Sequence, residues 1–124
     1  MHWHLTDSQS FPLRLKSAPL LAEKGAYSMD YTYSTEDVQE LVAYARSWGV
    51  RVVPEIDMPT HVLSWSGGYP WATIKGCAVA NDMVPFDATN EDLYTLLDAV
   101  FAEVCRIGST DVWDIYFPIY FPRC

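Results

Sequence analysis

The stretch that decides the fold is VRVVPEIDMPTH, from Val50 to His61. A mostly apolar, β-branched run continues to Ile56, and titratable residues such as Asp57 and His61 follow it. An apolar run without polar alternation predicts a strand at Val50–Ile56 that is buried on both faces, as in parallel sheets. Functional side chains of such sheets gather at the carboxyl ends of the strands. The stretch therefore predicts a site at the end of this strand.

Two amphipathic helices are predicted on either side of the 60–90 region. The first begins at the N-cap Ser34, with Asp37 three residues later, and ends at Gly49. Its apolar stripe consists of Val38, Leu41, Val42, Ala45 and Trp48. The second follows the similar start signal Thr89–Asp92 and ends at Gly108. Its stripe consists of Leu93, Leu96, Leu97, Val100, Phe101, Val104 and Ile107.

The order of elements indicates an α/β fold. MHWHL at the N-terminus is predicted to be a strand that leads into the loop Thr6–Pro12, and DVWDIYF after the second helix is a possible further strand. Alternating strands and helices are typical of a parallel sheet with helices outside it. Asp7 then follows the first strand as Asp57 follows the later one, so we expect both at the same edge of the sheet.

Composition excludes several classes of function. The chain has 124 residues, enough for one small domain, and with 50% hydrophobic and 15% aromatic residues it is not disordered. A net charge of −8 argues against binding nucleic acid or an anionic membrane through a basic face. We expect neither a membrane span nor a signal peptide in this sequence. Cys77, Cys105 and Cys124 lack metal-ligand spacing and do not fix the redox compartment.

Asp7, Asp57 and His61 are the candidates for acid–base chemistry. A carboxylate that accepts a hydrogen bond from one imidazole nitrogen fixes the tautomer, and the other nitrogen then faces the reaction centre. The alternative is that Asp57 caps a turn before Pro59 and that His61 is a surface loop residue. The buried strand before them favours a functional role.

His2 and His4 raise the alternative of a metal-dependent hydrolase. Residues at i and i+2 on a strand point to one face, and two such imidazoles can hold a divalent ion. Further ligands would have to come from His61 and scattered carboxylates. We favour the interpretation that both histidines are packed and hydrogen-bonded in the core, without a metal.

The aromatic residues of SWSGGYPW, Trp65, Tyr69 and Trp71, also allow two interpretations. Exposed rings stack on the apolar faces of sugars. In a loop rich in Gly and Pro, the same rings can simply cover the core, and we favour this second interpretation.

Several long motifs resemble glycoside hydrolase family 20, the β-N-acetylhexosaminidases. They are HWHLTDSQSFPL, GAYS, and YSTEDVQELVAYARSWGVRVVPEIDMPTH followed by LSW, and the resemblance runs from His2 to about Cys105. The family fold is a (β/α)8 TIM barrel of ~250 residues. The resemblance implies an incomplete barrel covering roughly the second to fourth βα units. It assigns residues 1–107 to the partial catalytic barrel and 108–124 to a divergent aromatic-rich tail.

The resemblance implies an exo-glycosidase that removes terminal N-acetylglucosamine or N-acetylgalactosamine from glycans. Hydrolysis in the family is retaining and substrate-assisted. The 2-acetamido oxygen of the substrate attacks the anomeric carbon, an Asp orients the acetamido group, and the adjacent Glu protonates the leaving oxygen. The family uses no metal or organic cofactor, and its intact members are lysosomal or secreted.

The resemblance also assigns roles to individual residues. Asp7 matches the aspartate of the HWHLTD-like motif and His61 the histidine of a PGH motif, and together they relay to the acid Glu. Asp57 matches an aspartate at the same strand end, which we expect to support the pair without touching substrate. Thr60 stands where the family has Gly, a residue that permits positive φ.

Other parts of the sequence depart from the family pattern. The sugar-binding Arg of the family would precede Met1, and the catalytic Asp-Glu pair would follow the second helix. That place reads GSTDVWDIYFPIYFPRC, without an Asp-Glu pair. The chain alone is therefore predicted to be inactive, and a non-catalytic sugar-binding or vestigial remnant is the alternative. Cys77 resembles a family cysteine whose disulfide partner lies beyond the catalytic pair.

Overall fold

The computed structural model describes residues 1–76 and 84–107. Strand β1 (His2–Thr6) pairs in parallel with β2 (Val53–Ile56), with His2 opposite Val53 and Thr6 opposite Ile56. The helices are α1 (Leu20–Gly25), α2 (Thr35–Ser47), α3 (Leu63–Ser66) and α4 (Glu91–Ile107), with a 3₁₀ turn at Met29–Tyr31. The predicted α/β arrangement is confirmed. The possible strand DVWDIYF, the tail, Cys77 and Cys124 lie outside the described residues.

Strand β2 is shorter than the sequence predicts. Val50 is 40% exposed, and the strand begins only at Val53. The reason is that the end of α2 continues into this segment, since the Val50 N–H donates to the Ala45 carbonyl at 2.9 Å and Gly49 takes a φ of +70°. The prediction of a strand buried on both faces is therefore correct only for the carboxyl-terminal half of Val50–Ile56, the half that leads to the candidate site.

Helix α2 begins as predicted but ends at Ser47, one residue before Trp48, the last member of its predicted stripe. Ser34 and Asp37 form a reciprocal capping box, and Val38 is fully buried. Trp48 is 72% exposed, so its assignment to the buried stripe is wrong. The residue lies at the C-cap, outside helical geometry, and its ring contacts Tyr44 edge-on instead of packing into the core.

Helix α4 packs its apolar stripe against the rest of the molecule, as predicted. Its buried residues are Leu93, Leu96, Val100, Val104 and Ile107. Leu97 and Phe101 pack against the same core while partly exposed. Within the described residues, no helix is both long enough and apolar enough to cross a membrane.

Trp65 is the largest fully buried side chain of the core. Its ring makes edge-to-face contacts with Phe11 and Phe86, at centroid distances of 5.2 and 5.0 Å. Tyr69 packs against this core, and Trp71 is 38% exposed. The interpretation that these aromatics cover the core is thus confirmed for Trp65 and Tyr69. Burial of Trp65 also fixes α3, the helix that carries Ser64 to the candidate site.

Candidate functional site

Asp7 and His61 meet where the two parallel strands end. Asp7 directly follows β1, and His61 lies in the loop after β2. Nδ1 of His61 is 2.9 Å from Oδ1 of Asp7, although 54 residues separate them in sequence. Oδ2 of Asp57 is 3.9 Å from the same nitrogen. The three residues singled out from the sequence therefore lie together, and their catalytic roles stay predictions.

The loop that presents His61 has an unusual backbone. The Met58–Pro59 peptide is cis, and His61 has a φ of +64°. In the part of the chain that the structure describes, it is the one residue other than glycine with positive φ. Thr60 therefore does not need the conformational freedom of the glycine expected there. The amide of Phe86 donates to the Pro59 carbonyl at 2.9 Å and holds the loop against the core.

The Asp7 carboxylate binds two imidazoles, one on each oxygen. Nε2 of His4 lies 2.9 Å from Oδ2, and Oδ1 accepts the Ser8 N–H at 2.6 Å in addition to facing His61. Partial burial raises the pKa of Asp7, but the hydrogen bonds from Ser8, His4 and His61 outweigh it and lower the pKa. Asp7 is therefore an anion at neutral pH.

Glu55 holds the two histidines of β1. Its buried carboxylate contacts Nε2 of His2, and its Oε2 lies 3.4 Å from Nδ1 of His4. The side chains of His2 and His4 are 63% and 45% exposed, so the prediction that they are packed in the core is wrong. His4 is the register partner of Glu55 in the sheet, and the imidazoles therefore turn to its carboxylate instead of to apolar side chains.

His4 and Asp57 have pKa values that shift in the same direction for different reasons. Burial lowers the pKa of His4, but its hydrogen bond to Asp7 and the charge of Glu55 outweigh burial, so the pKa is raised. For Asp57, burial raises the pKa, and the attraction of His61 offsets this only in part. The site thus combines two different carboxylates. Asp7 stays ionised, and Asp57 takes up a proton more easily than an ordinary aspartate.

The same groups argue against the metal-dependent alternative. One ligand atom each from His4, Asp7 and Asp57 could meet within 4.8 Å, but His2 is not part of that cluster. A metal-bound imidazole uses the lone pair of the ligating nitrogen. Nε2 of His4 and Nδ1 of His61 instead lie at hydrogen-bonding distance from Asp7, as donors would. The geometry therefore favours a hydrogen-bonded relay over the proposed pair of metal-ligating histidines.

Sequence reasoning missed two contacts of Asp7. The buried Ser64 donates its hydroxyl to the Asp7 carbonyl at 2.7 Å, and His4 was considered as a metal ligand but not as a partner of this carboxylate. Ser64 lies in the LSW motif, which pointed to the family without indicating a role for the serine. His4 and Asp7 make contact at i and i+3, on either side of an irregularity in the pairing of β1 between His4 and Thr6.

Comparison with known proteins decides the family. A model of the catalytic domain of glycosyl hydrolase family 20 matches residues 1–115. The chain belongs to glycoside hydrolase family 20. β-Hexosaminidase subunit A1 of Dictyostelium discoideum is 40% identical over 109 residues, and subunit beta of the Homo sapiens enzyme is 36% identical over 110. Each alignment covers 86% of this chain and 20% of the relative.

The structural comparison agrees with this family 20 assignment. The crystal structure of a β-N-acetylhexosaminidase from Bacteroides fragilis matches with a TM-score of 0.72 and 36% sequence identity. The match covers 86% of this chain and 23% of that one. The chain therefore spans about a fifth of the length of the curated relatives it matches.

Proposed function

We propose that this chain forms roughly the second to fourth βα units of a β-N-acetylhexosaminidase barrel and supplies the Asp7–His61 relay to its active site. The observation that carries the proposal is the 2.9 Å contact between Oδ1 of Asp7 and Nδ1 of His61 at the ends of neighbouring parallel strands. The substrate would be a glycan with a terminal N-acetylhexosamine. The family names of the relatives support this substrate class.

The contribution of this chain to hydrolysis is to orient a proton donor. The ionised Asp7 accepts the Nδ1 proton of His61, so the neutral ring carries its lone pair on Nε2. Among the described residues, Nε2 has no hydrogen-bond partner. It is the atom that would accept a hydrogen bond from the carboxyl group of an acid Glu. Asp57, 3.9 Å from the same ring, supports the pair without touching substrate.

The acid and the acetamido-orienting Asp are not among these 124 residues, since no Asp-Glu sequence occurs. We therefore expect the chain alone to release no nitrophenol from 4-nitrophenyl N-acetyl-β-glucosaminide, because loss of a general acid alone typically removes ~10²–10⁴ in rate. Turnover by the homogeneous chain would contradict this expectation.

Transcript sequencing tests the assignment itself. We expect a longer form of the protein that carries an Asp-Glu pair after the segment of α4, and that form should cleave the nitrophenyl substrate. A longer form with the pair, folded but without hydrolysis of either N-acetylhexosaminide, would overturn the proposal.

A sugar-binding remnant is the second candidate, and one observation favours it. A depression beside His4 and Asp7 is lined by Tyr27, Tyr31 and Tyr33, residues that are 74%, 73% and 40% exposed. Exposed tyrosine rings can stack on sugar faces. Titration of the chain with N-acetylglucosamine decides, with Tyr27→Ala as the variant and Tyr94→Ala, an exposed tyrosine on α4, as its control. Binding that only Tyr27→Ala weakens would support a binding role.

The proposal further implies that no metal or organic cofactor takes part and that the intact protein is lysosomal or secreted. Full activity after exhaustive dialysis against a chelator would support the first point. Localisation of the tagged longer protein by microscopy tests the second.

A further inference from the structure

We propose that His4 is a positioning residue for His61: its Nε2 proton binds Oδ2 of Asp7 and holds the carboxylate with Oδ1 towards Nδ1 of His61. The inference deepens the proposed function. It rests on that function only for the role of His61 in orienting an acid, and not for the contacts among His4, Asp7 and His61. It assigns a role to the second histidine of the HWH motif, which the relay of Asp7 and His61 does not involve.

The two carboxylate oxygens of Asp7 are divided between the two imidazoles. Oδ2 of Asp7 lies 2.9 Å from His4, and Oδ1 lies 2.9 Å from His61. A carboxylate can rotate about its χ2 torsion, which is broad for Asp. A donor fixed on Oδ2 opposes that rotation, and the Ser8 N–H at 2.6 Å fixes Oδ1 in the same way. The plane of the carboxylate, and with it the direction offered to His61, is set by these two donors.

His4 is itself held on its other ring nitrogen by a second carboxylate. Its Nδ1 lies 3.4 Å from Oε2 of Glu55, whose side chain is only 10% exposed. A neutral imidazole can donate from one nitrogen only, whereas an imidazolium donates from both. With a carboxylate at each nitrogen, His4 is best satisfied as the cation, in agreement with its raised pKa. An imidazole fixed between two carboxyl groups is a rigid donor to Asp7.

Groups from three segments of the chain surround the Asp7 carboxylate. Asp7 faces His4 from β1, Ser8 from its own loop, and His61 and Asp57 from the segment after β2. Two of these groups are imidazoles, and in this structure each takes a different oxygen of the carboxylate. Without His4, Oδ2 of Asp7 becomes open to the His61 ring and to water, and the Ser8 N–H alone opposes rotation of the carboxylate. The carboxylate would then no longer hold the single orientation that favours the Nδ1–H tautomer of His61.

Nuclear magnetic resonance of the whole 124-residue chain, labelled with ¹⁵N-histidine and ¹³C-aspartate, tests the inference. In the unaltered chain, we expect His4 to be protonated on both nitrogens at pH 6, and we expect the neutral form of His61 to carry its proton on Nδ1. In His4→Leu, we expect His61 to become a mixture of tautomers and the pKa of Asp7 to rise. His2→Leu is the matched control, since it removes the other imidazole on Glu55 and leaves Asp7 untouched.

His4→Gln separates the donor from its charge. The glutamine amide can still donate to Oδ2, so we expect this variant to keep the single His61 tautomer while the pKa of Asp7 rises. An unchanged tautomer and an unchanged Asp7 pKa in His4→Leu would overturn the inference. If His4→Leu does not fold, the unaltered chain decides alone, because an unprotonated Nε2 on His4 contradicts the proposal and a protonated one supports it.

These readouts need no substrate, and they separate the inference from the proposed function. A His61 tautomer that depends on His4, together with a longer protein that does not cleave glycans, leaves the positioning role intact and overturns the enzymatic proposal. The reverse result leaves the enzymatic proposal intact and removes His4 from it.

Discussion

Asp7 and His61 form a hydrogen-bonded pair across the two strand ends, with 2.9 Å between Oδ1 and Nδ1. Both side chains are about one-third exposed, so the pair lies at the surface of the described residues and faces outward from the core. Such a pair can hold and orient a proton donor that approaches from outside this part of the chain.

The first prediction concerns this pair in a longer form of the protein that carries the Asp-Glu motif. His61→Ala should lower kcat by up to about 10²-fold, since the acid would lose its orienting partner but not its own proton. The pH–rate profile should shift as well, whereas KM should change less. Steady-state kinetics on a nitrophenyl N-acetylglucosaminide between pH 3 and 8 would measure all three.

His2→Ala is the control for that measurement, because His2 contacts Glu55 and neither member of the pair. A His61→Ala enzyme whose kcat falls while its pH profile stays the same would mean that His61 supports the fold only.

The second prediction is a stability maximum at mildly acidic pH. The lowered pKa of Asp7 contributes stability that is present above its unfolded value of 3.8 and is lost as pH falls through the folded value. The raised pKa of His4 contributes stability that is present below 6.5 and is lost as pH rises through its folded value. Together they favour the folded state most strongly between about pH 4 and 6.5.

Urea unfolding at a series of pH values would measure this dependence. In Asp7→Asn, the Asp7 contribution should disappear and the His4 contribution should shrink to the part that Glu55 and Asp57 supply. The curve of unfolding free energy against pH should therefore flatten at the acidic limit and become shallower at the neutral one. Asp57→Asn should act differently. Because burial raises the pKa of Asp57, its ionisation opposes folding as pH rises, and its removal should stabilise the chain at pH 7 more than at pH 3. A maximum that persists unchanged in Asp7→Asn would contradict the prediction.

The elements with long apolar periodicity were predictable from the sequence, and the short ones were not. Helices α2 and α4 have cap signals and repeated apolar stripes, which depend only on local chemistry. Helices α1 and α3 have six and four residues, too few for a period to appear, and neither has a side-chain cap. Their positions depend on tertiary packing, which local sequence does not encode.

The candidate site likewise contains residues whose place was predictable from the sequence and contacts that were not. Asp7 and His61 were predictable because each follows a recognisable strand and parallel strands end at one edge. The partners of His4 were not, because they depend on how β1 registers against β2 and on the irregularity of pairing after His4. A one-residue change of register reverses the face of every side chain, so such contacts need the folded structure.

The third prediction concerns Glu103 on α4. Its carboxylate accepts the backbone N–H groups of Lys16 and Ser17, at 2.9 and 2.7 Å, and so ties the long loop after β1 to this helix. Both hydrogen bonds are exposed, so water can replace the lost acceptor in Glu103→Ala, which should destabilise the chain by about 0.5–1.5 kcal/mol. Glu103→Gln keeps one acceptor oxygen, so its stability should lie between those of the unaltered chain and Glu103→Ala. Urea unfolding at pH 7 would measure both.

Asp98→Ala is the control, since Asp98 is an exposed acid on the same helix. The Glu103 contribution should also depend on pH. Burial raises the pKa of Glu103, but the hydrogen bonds from Ser17 and Lys16 outweigh it and lower the pKa. The stabilisation should therefore be present above pH 4.5 and be lost as pH falls through the folded pKa. Equal effects of Glu103→Ala and Asp98→Ala at pH 7 would show that the loop is held by other contacts.

The fourth prediction concerns the contact between α1 and α3. A Cβ added at Gly25 would lie 2.4 Å from the carbonyl oxygen of Ser64 and 3.3 Å from Cβ of Phe11. The first neighbour is backbone and cannot rotate away, so Gly25→Ala should force α3 outward and destabilise the chain by at least about 1–3 kcal/mol. Because the Ser64 hydroxyl donates to the Asp7 carbonyl, the same displacement should change the ¹⁵N signals of His61.

Gly49→Ala separates this steric effect from simple loss of a glycine. Gly49 has a φ of +70°, and no atom lies within 4 Å of a Cβ built there. That variant should lose only the roughly 1–2 kcal/mol of a left-handed alanine, and its His61 signals should match those of the unaltered chain. Unfolding in urea and histidine ¹⁵N spectra would compare the two variants. If Gly25→Ala left the His61 signals unchanged, the contact of α1 with α3 would contribute to stability without positioning the site, and Ser64 would be only a structural neighbour of Asp7.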